Sequence, residues 1–456
     1  MTGSMFLLEL DANFKILIDC GMDMENPAER MPLYPGSAFP FDASLINLVV
    51  LTHAHLDHSG KIPNLLREGF EGKIVCTEPT FEQARLLLND SAAINRGKLN
   101  FYHKKRSKDP GFKPEFSLDE LYLERHVDQA MERFLPVEAD KKHKVIKGVQ
   151  LTLVTTGHLL GAANVLLEIE EEGEVKKILF SGDIGRSDYP LLKDPAPAPQ
   201  ADYVVCETTY GNRFHQSKEQ TEESLATMAI EACVKTPGKL IVPAFSIGRT
   251  QAILYTFHKA FAAGMLPDVK IYADSPRAQK SNKVYEQFAD QLNNEAQEFK
   301  AMHKQLFAFQ NLQYIEQTRE SKRISNLPEP AILVSSSGML EGGRIQHHIK
   351  NHLQNPQCTI LMVGFSAEGT FGRRLLESDG MLRVGKRDVP VLARVQQTDV
   401  FSGHGDQNDL LKFVKSQSPE KTRRVFLVHG EPESMRDFKE VLLKEGDSIF
   451  FDGRIP

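Results

Sequence analysis

The sequence lacks any hydrophobic stretch long enough to span a membrane, and it contains few cysteines. No run of about 18 apolar residues occurs among its 456 residues, so we expect no transmembrane helix and no membrane partner. The first residues show no basic segment followed by an apolar one, which argues against a signal peptide. The cysteines are scattered and form no CxxC pair, which favours reduced thiols in a cytoplasmic protein and argues against a cysteine zinc site. They are Cys20, Cys76, Cys206, Cys233 and Cys358.

Neither sign of charge is in large excess. The chain has 55 Lys and Arg against 61 Asp and Glu, and its 41% hydrophobic content suits a globular protein with a real core. A nucleic-acid binder more often carries a basic balance, so the net charge of −6 counts mildly against nucleic acid. Bound divalent ions would add positive charge that this count omits. Basic clusters at residues 104–108 and 421–424 fit a solvated surface at least as well as a phosphate contact.

One short stretch concentrates side chains that bind metal ions. The apolar run at residues 45–51 predicts a buried strand, and residues 59–68 predict a short helix. Between them the sequence reads His-Ala-His-Leu-Asp-His-Ser-Gly, which predicts a tight loop carrying several ligands. Imidazole and carboxylate are the ligand set for zinc and similar ions. The candidate ligands are His53, His55, Asp57 and His58.

Further histidines and carboxylates follow predicted strands elsewhere in the chain. His158 and Asp183 each lie between glycines just past a strand, and His404 and His429 lie in similar settings near the end of the sequence. Asp19 ends the second strand of a hairpin predicted at residues 5–19. Asp19 could orient a ligating histidine or cap a turn, and the residues favour neither interpretation.

The remaining segments predict mostly ordinary structure. We expect a helix at residues 80–89, a polar and basic loop at residues 100–114, and a helix at residues 117–134 that begins with a capping box. Other histidines lie in helical or polar settings, and we expect them to be ordinary residues without partners. Examples are His126, His258 and His347.

The second half of the chain alternates short apolar strands with helical segments. Repeats of this kind between residues 239 and 369 predict a parallel sheet with helices on its faces. Small residues in a loop before a helix leave backbone N–H groups open for a phosphate. Plain turn chemistry is the better explanation for any one loop. The weak substrate-binding candidates on these grounds are Ser336, Ser337, Gly338 and Arg344.

The ligand-like residues occur in an order that resembles a known family. Residues 53–58 resemble the HxHxDH signature of the metallo-β-lactamase fold, and His158 and Asp183 match its next two metal motifs. Three further residues, Glu207, His404 and His429, are similar to the extra motifs of the β-CASP branch of that fold. The resemblance covers nearly the whole chain. It implies an α/β protein. Residues 1–205 and 391–456 would form an αββα sandwich, and residues 206–390 would form an inserted α/β (β-CASP) domain that carries a parallel sheet.

The resemblance also implies a function. Members of the β-CASP branch are nucleic-acid phosphodiesterases, and a histidine at the position of His429 marks those that process RNA. We therefore expect a zinc-dependent ribonuclease that acts in RNA processing or decay through a hydroxide bound by two zinc ions. One ion would be bound by His53, His55 and His158, the other by Asp57, His58 and His429, with Asp183 bridging both. We expect single-stranded RNA as the partner, while homodimer formation and endonuclease or exonuclease action stay open.

With those ligands assigned, His404 is the histidine left to protonate the leaving ribose oxygen, and Glu207 is its carboxylate partner. Asp57 is counted among the catalytic residues as well as the ligands. Alternative functions are a DNA nuclease or small-molecule hydrolase of the same outer fold, and an RNA-binding protein with a structural metal. The small-molecule hydrolase would not need Glu207, His404 and an insert of this size. The RNA-binding protein would not need open metal positions.

Overall fold

A computed structural model describes residues 3–11, 14–23, 37–114, 116–215, 221–364 and 366–444. The chain forms two compact units. The first comprises Met1–Gly185, Pro195–Arg213 and His404–Pro456, and the second comprises Arg186–Asp194 and Phe214–Gly403. Within the described ranges, no helix combines the length and the apolar character that crossing a membrane requires. All five cysteines are buried free thiols.

The bounds of the elements are as follows. In chain order the described strands are β1 (Phe6–Glu9), β2 (Lys15–Ile18), β3 (Leu48–Val50), β4 (Lys73–Thr77), β5 (Phe134–Val137), β6 (Lys142–Ile146), β7 (Val149–Thr155), β8 (Ala163–Glu171), β9 (Glu174–Phe180), β10 (Tyr203–Glu207), β11 (Lys239–Pro243), β12 (Lys270–Asp274), β13 (Leu312–Tyr314), β14 (Ala331–Ser335), β15 (Thr359–Val363), β16 (Met381–Val384), β17 (Arg387–Pro390), β18 (Arg394–Thr398) and β19 (Arg424–Val428). The described α-helices are α1 (Leu56–Ser59), α2 (Ile62–Arg67), α3 (Glu78–Arg106), α4 (Glu124–Met131), α5 (Thr221–Ile230), α6 (Arg249–Ala262), α7 (Pro276–Gln287), α8 (Asn294–His303), α9 (Thr318–Ser325), α10 (Ile345–His352), α11 (Phe371–Leu376), α12 (Gln407–Lys415) and α13 (Pro432–Lys444).

The first unit contains two sheets that pack face to face. One has the strand order β1-β2-β3-β4-β5, and the other has the order β19-β10-β9-β8-β7-β6. Branched and aromatic side chains from both sheets form one core, which contains Ile16 and Val50 from the first sheet and Leu151 and Val165 from the second. Strands buried in this way read as apolar runs, which is why most of them could be predicted from the sequence.

Helices cover the outer face of each sheet in this unit. Leu88 and Ala92 of α3 pack with Val127 of α4 outside the first sheet. Leu410 of α12 and Phe438 of α13 pack against the outer face of the second sheet. The layers are therefore helix, sheet, sheet and helix, as the sequence predicts.

The second unit is built on a parallel sheet with the strand order β13-β12-β14-β11-β15-β18. Each described pair of neighbouring strands in this sheet is parallel. Helices α9, α10 and α11 contribute to a core on one of its faces. Strands β16 and β17 form a separate antiparallel hairpin. The parallel sheet expected from the strand–loop–helix repeats is present.

Several predicted boundaries are wrong. Helix α3 continues to Arg106, so residues 100–106 are not a loop. Lys and Arg are good helix formers, and no strong helix breaker follows until Pro110. Residues 117–123 are not helical, because α4 begins only at Glu124. Phe134 belongs to β5, where parallel pairing with β4 decides its conformation.

The predicted N-terminal hairpin is present as β1 and β2, which pair antiparallel from Phe6–Ile18 to Glu9–Lys15. Ala12 and Asn13 of its predicted turn lie outside the described residues.

After β2 the backbone runs against α1. The amide of Ser4 donates to the carbonyl of Asp57 at 2.7 Å, and the amide of Cys20 donates to that of His58 at 2.7 Å. Gly21 lies inside this contact, where a Cβ atom would be 1.7 Å from the carbonyl oxygen of Asp57.

We predict that Gly21→Ala destabilises the first unit, because the added methyl group must push α1 away from residues 20–22. Overpacking of this kind costs about 1–3 kcal/mol or more of the free energy of unfolding. Thermal unfolding followed by circular dichroism measures the loss as a lower Tm. Gly97→Ala is the matched control: nothing lies within 4 Å of its added Cβ, and alanine favours an exposed helix by about 1 kcal/mol over glycine. An unchanged Tm for Gly21→Ala would contradict this account.

Candidate metal centre

The structure brings the predicted ligands together at one edge of the two sheets in the first unit. His53 and His55 follow β3, while Asp57 and His58 lie on the helical turn α1. The prediction of one continuous loop is therefore wrong for the last two, and the predicted helix at residues 59–68 is α2, which begins at Ile62. The turn directs Asp57 and His58 away from His53 and His55, so the four ligands divide into two pairs. The other three predicted ligands follow β7, β9 and β19, and they are His158, Asp183 and His429.

The first group of ligand atoms surrounds a point between His53, His55 and His158. The Nδ1 atom of His55 lies 3.1 Å from His53 Nε2 and 3.2 Å from His158 Nε2. Asp183 Oδ2 lies 3.4 Å from His53 Nε2 and 3.3 Å from His158 Nε2. All four ligand atoms lie within 4.8 Å of one another.

The second group shares Asp183 with the first. His58 Nε2 lies 3.2 Å from His429 Nε2 and 3.2 Å from Asp183 Oδ1. Asp57 Oδ2 lies 3.5 Å from His429 Nε2. The two oxygens of Asp183 therefore face different groups, which is the geometry that a bridging carboxylate requires.

The spacing of these atoms fits metal ions. Four ligands placed tetrahedrally about 2.0–2.1 Å from a zinc ion lie roughly 3.3 Å from one another. The measured separations in the first group, 3.1–3.4 Å, agree with that value. Asp183 Oδ1 is buried, and its nearest nitrogens, His58 Nε2 at 3.2 Å and His429 Nδ1 at 3.5 Å, do not have hydrogen-bond geometry toward it. A buried carboxylate oxygen without a donor is costly unless a cation neutralises it.

Hydrogen bonds on the outer side hold two of the histidines in the form that binds a metal. Asp19 Oδ2 lies 2.7 Å from His58 Nδ1, so in the neutral ring this nitrogen carries the proton and Nε2 has the lone pair that binds a metal ion. Thr52 donates its amide and hydroxyl hydrogens to Asp19 at 2.8 and 2.9 Å. The Thr52 hydroxyl oxygen, 3.0 Å from His53 Nδ1, can then accept the proton of that ring. Of the two interpretations of Asp19, its position beside His58 favours the orienting one.

Burial and charge divide the ligand histidines into two classes. Burial lowers the pKa of His53, lowers that of His158 well below its usual range, and lowers the pKa of His55 to about 3. These rings are neutral at pH 7, as metal ligands must be. Burial opposes the charged form of His58 and His429 as well, but Asp183 and other carboxylates outweigh it. They raise the pKa of His58 well above its usual value and raise the pKa of His429 to about 9. Protons therefore compete with a metal ion at the second group, and its affinity for a metal rises with pH.

Two of the site residues have an unusual backbone conformation. Asp19 has φ = 59° and His429 has φ = 52°, in the left-handed region that residues other than glycine rarely adopt. Each follows the end of a strand, β2 for Asp19 and β19 for His429. A left-handed residue costs about 1–2 kcal/mol, and such strain collects at functional sites. It turns both side chains back toward the ligands.

A third group of atoms joins His404 and Glu207 to the same carboxylate. His404 Nδ1 lies 3.2 and 3.3 Å from the two oxygens of Glu207, and His404 Nε2 lies 3.9 Å from Asp183 Oδ2. Glu207 is fully buried, and it accepts hydrogen bonds from the amides of Ile184 at 2.6 Å and Thr209 at 3.2 Å. Burial lowers the pKa of His404, but Glu207 and Asp183 outweigh it and raise this pKa above its usual value. The fixed carboxylate of Glu207 therefore both positions the His404 ring and favours its protonated form.

Sequence analysis missed two threonines that connect these groups. Thr52 joins Asp19 to His53, as described above. The Thr209 hydroxyl donates to Glu207 Oε2 and lies 3.2 Å from His429 Nδ1, so it links the acid–histidine pair to the second ligand group. Thr52 directly precedes His53, and Thr209 lies two residues after Glu207. Hydroxyl residues this close to a predicted ligand are the signal that could have identified them.

The weak substrate-binding candidates lie in the second unit and serve structural contacts there. The Arg344 guanidinium donates to buried Asp274 at 2.8 Å and to the carbonyl of Ile315 at 2.9 Å. The Ser337 hydroxyl donates to the carbonyl of Glu341 at 2.9 Å. Ser336 contacts another serine hydroxyl at 3.2 Å. Gly338 lies close to Phe245, since a Cβ atom there would be 3.1 Å from the Phe245 amide nitrogen.

The expectation that the other histidines lack partners is wrong. His258 Nδ1 lies 2.9 Å from the carbonyl of Leu306, and His126 Nδ1 accepts the amide of Leu123 at 3.1 Å. His347 lies beside His348 and Asp274, a trio that has the residue types of a metal site. Asp274 already accepts hydrogen bonds from Arg344, His348 and Ser321. Its carboxylate is thus neutralised by the chain itself, and the trio is a structural network.

Three segments of the chain match families of known proteins. Residues 1–229 match the Metallo-beta-lactamase superfamily. Residues 250–375 match the Beta-Casp domain. Residues 388–451 match the Zn-dependent metallo-hydrolase RNA specificity domain, and this segment includes His404 and His429.

Individual relatives share much of the chain's length. The chain is 31% identical to Ribonuclease TTHA0252 of Thermus thermophilus, over 98% of this chain and 95% of the relative. It is 27% identical to an RNase J-like protein of Methanocaldococcus jannaschii, over 94% of this chain and 90% of the relative. It is 28% identical to Transcription termination factor FttA of Methanosarcina mazei, but it spans only 67% of that protein's length.

Proposed function

Because the chain belongs to the metallo-β-lactamase superfamily and carries its β-CASP domain, we propose that it is a ribonuclease that hydrolyses RNA phosphodiester bonds with two zinc ions. The family assignment confirms the resemblance and the fold class predicted from the sequence. The observation that carries the proposal is the convergence of the predicted ligands into two groups that share Asp183. The relatives' names refer to ribonucleases and to transcription termination, which supports a role in RNA processing, decay or termination.

The first ion would be held by His53, His55 and His158, and the second by Asp57, His58 and His429, with Asp183 common to both. Zinc ions bound there would supply Lewis acidity and would lower the pKa of a water molecule toward neutrality. Asp19 and Thr52 fix the orientation of His58 and His53, so the ligands are arranged before an ion arrives. Asp57 acts in catalysis only through its position as a ligand.

His404 supplies the proton that the leaving oxygen needs. Expulsion of a ribose oxygen is slow unless the oxygen is protonated as the bond to phosphorus breaks. His404 Nδ1 faces Glu207, which leaves Nε2 as the nitrogen that donates, and Nε2 points toward Asp183 at 3.9 Å. Glu207 cannot turn away, because the amides of Ile184 and Thr209 hold its carboxylate. The acid therefore lies beside the ligand groups without being part of them.

Each alternative function leaves part of this arrangement unexplained. A structural metal site normally holds one ion within its own closed set of ligands, whereas here two groups of ligand atoms lie side by side and share Asp183. A small-molecule hydrolase of this fold would not need the pair formed by Glu207 and His404. The geometry of the ligand groups suits cleavage of DNA as well as of RNA. The match of residues 388–451 to an RNA specificity domain favours RNA.

We predict about two zinc ions per chain, at the roughly 3.5–4 Å separation of two-metal sites. Asp183→Ala should lose more metal than Asp19→Ala, because only Asp183 faces both groups. Elemental analysis of protein purified without chelators measures the content, with the exposed residue change Asp128→Ala as the control. A reproducible value near zero or one in fully active protein would contradict two-metal catalysis.

We predict that His404→Ala keeps the fold and both metal ions but lowers the cleavage rate about 10²–10⁴-fold, the usual worth of general acid catalysis. Glu207→Gln should lose less, and the double variant should be little slower than His404→Ala, because the two residues act as a unit. Single-turnover cleavage assays and metal analysis on the same samples provide the measurement. His303→Ala, at the exposed end of α8, is the matched histidine control. Loss of an ion from His404→Ala would instead make His404 a ligand.

We predict that RNA is cut clearly faster than DNA of the same sequence. Single-stranded oligonucleotides labelled at the 5′ or the 3′ end, resolved by product length, give both the preference and the direction of cleavage. The same substrates incubated with Asp183→Ala control for a contaminating nuclease. Equal or faster cleavage of DNA would remove the basis for the ribonuclease assignment.

A further inference from the structure

The C-terminal end of helix α3 differs from the rest of that helix. Up to Asn95 the helix buries one face, with Ala84, Leu88 and Ala92 in the core. From Arg96 to its end at Arg106, only Tyr102 is buried. At 1.5 Å per residue, these last residues extend for about 16 Å. We define the α3 tip as residues 96–113, which are the end of the helix and the turn that follows it.

The α3 tip concentrates positive charge in a chain that is negative overall. It contains seven Lys or Arg residues and one acidic residue, Asp109, whereas the net charge of the chain is −6. Arg96 is paired with Glu124 at 2.9 Å. Within the part of the chain that the structure describes, the remaining cations of the tip have no carboxylate at ion-pair distance. They are Lys98, Lys104, Lys105, Arg106, Lys108 and Lys113, and all are exposed.

The tip is ordered by its own aromatic residues. The chain turns back after the helix through the amides of Lys108 and Asp109, which both donate to the carbonyl of Lys105. Phe112 then lies 6.1 Å from the ring of Phe101 and 6.4 Å from the ring of Tyr102. The Arg106 guanidinium stacks on Tyr102 at 5.6 Å. These contacts order the turn and hold the Arg106 side chain against Tyr102.

One face of the tip, together with Ile94 just before it, alternates large apolar and basic side chains. Ile94, Lys98, Phe101 and Lys105 are spaced by four, three and four residues, which places them on the same side of the helix. Ile94 is 54% exposed and Phe101 is 49% exposed. The Lys105 ammonium lies 5.6 Å from the centre of the Phe101 ring. An exposed aromatic ring flanked by cations is the arrangement that single-stranded nucleic acid recognises, since phosphates pair with the cations and a base stacks on the ring.

We propose that the α3 tip is a second binding surface for single-stranded RNA, which contacts the substrate outside the metal centre. The proposal rests on the RNA-cleaving function and adds a specific surface to it. The cations of the tip supply the electrostatic attraction that the acidic chain as a whole lacks. Phe101 supplies a stacking platform that accepts any base. Long RNA therefore binds more tightly than a short fragment that reaches only the metal centre.

Charge and shape favour RNA over the other anionic surfaces. A helix that lies on a membrane buries a continuous apolar face, but the outward face here offers only Ile94 and Phe101 between lysines. Six exposed cations over two turns of helix and a short reverse turn match the closely spaced phosphates of a nucleic-acid strand. RNA is also the polyanion that the metal centre itself takes under the proposed function.

Two variants test the tip in the full-length protein. Lys98→Gln, Lys104→Gln and Lys105→Gln together remove three cations while keeping good helix formers. Phe101→Ala removes the stacking ring. Fluorescence anisotropy with an unstructured phosphorothioate RNA of about 30 nucleotides measures binding without cleavage. The same titrations are repeated across a range of salt concentrations.

We expect the triple variant to bind this RNA about 10-fold or more weakly near 0.1 M salt. The slope of log K against log salt should become shallower by about 2, at roughly 0.7 for each lost phosphate contact on a single strand. Phe101→Ala should weaken binding about 5-fold or more, with the slope unchanged. Cleavage of a dinucleotide, which has no further nucleotides to contact a second surface, should keep its kcat/KM in both variants.

The matched control is Lys141→Gln, Lys144→Gln and Lys147→Gln, which removes the same charge from exposed positions around strand β6. It should change the affinity for long RNA less than 2-fold. Equal effects of the two triple variants would overturn the proposal, because net charge alone would then account for the loss. Unchanged RNA binding in the tip variant would overturn it as well.

Two further outcomes separate RNA binding at the tip from a failure of the proposed function and from membrane binding. If the wild-type protein cuts neither the long nor the short RNA, the proposed function fails, and the binding titrations still decide the proposal for the tip. If the triple variant loses binding to vesicles containing 30% phosphatidylserine but keeps its affinity for RNA, the tip recognises membranes and the RNA proposal is overturned.

Discussion

The negative charge of Asp183 is the constraint on which the first unit depends. This carboxylate is buried between imidazoles, and one of its oxygens has no donor within the described part of the chain. Burying an uncompensated carboxylate costs several kcal/mol. The fold therefore surrounds Asp183 with imidazoles, and the raised pKa values of His58, His404 and His429 let protons compensate its charge until metal ions replace them. Ion binding and the stability of this unit are then linked, since an ion that binds only the folded chain stabilises it by mass action.

The clustering of the candidate ligands could be predicted because its signal is local. Four of them fall within six residues, and the others stand beside glycines or at strand ends. The division of the four into two pairs could not be predicted, because it depends on the short helix α1 that turns Asp57 and His58 away from the first pair. The roles of Thr52 and Thr209 were hidden for a different reason. Thr209 meets His429 across 220 residues of chain, and no pattern near Thr209 records that contact.

The fold shows the same contrast between local and distant causes. Buried parallel strands such as β11 and β14 are continuous apolar runs, so their positions follow from composition. Between residues 100 and 134 the polarity of the sequence is a poor indicator of a loop. Lys and Arg continue α3 without difficulty, and the conformation of Phe134 is decided by pairing with β4. Sequence patterns describe a segment's preferences, whereas pairing partners come from elsewhere in the chain.

The order of the ligands along the chain has a consequence for biosynthesis. Strand β19 pairs with β10, yet more than 200 residues separate them, and His404 and His429 are translated only after the whole inserted unit. A ribosome must therefore synthesise the chain as far as His404 before the acid–histidine pair can form, and as far as His429 before the second candidate ligand group can form. Contacts this distant also form late in folding, since a long loop must close first. A nascent chain that has not yet reached His429 therefore lacks part of the candidate site.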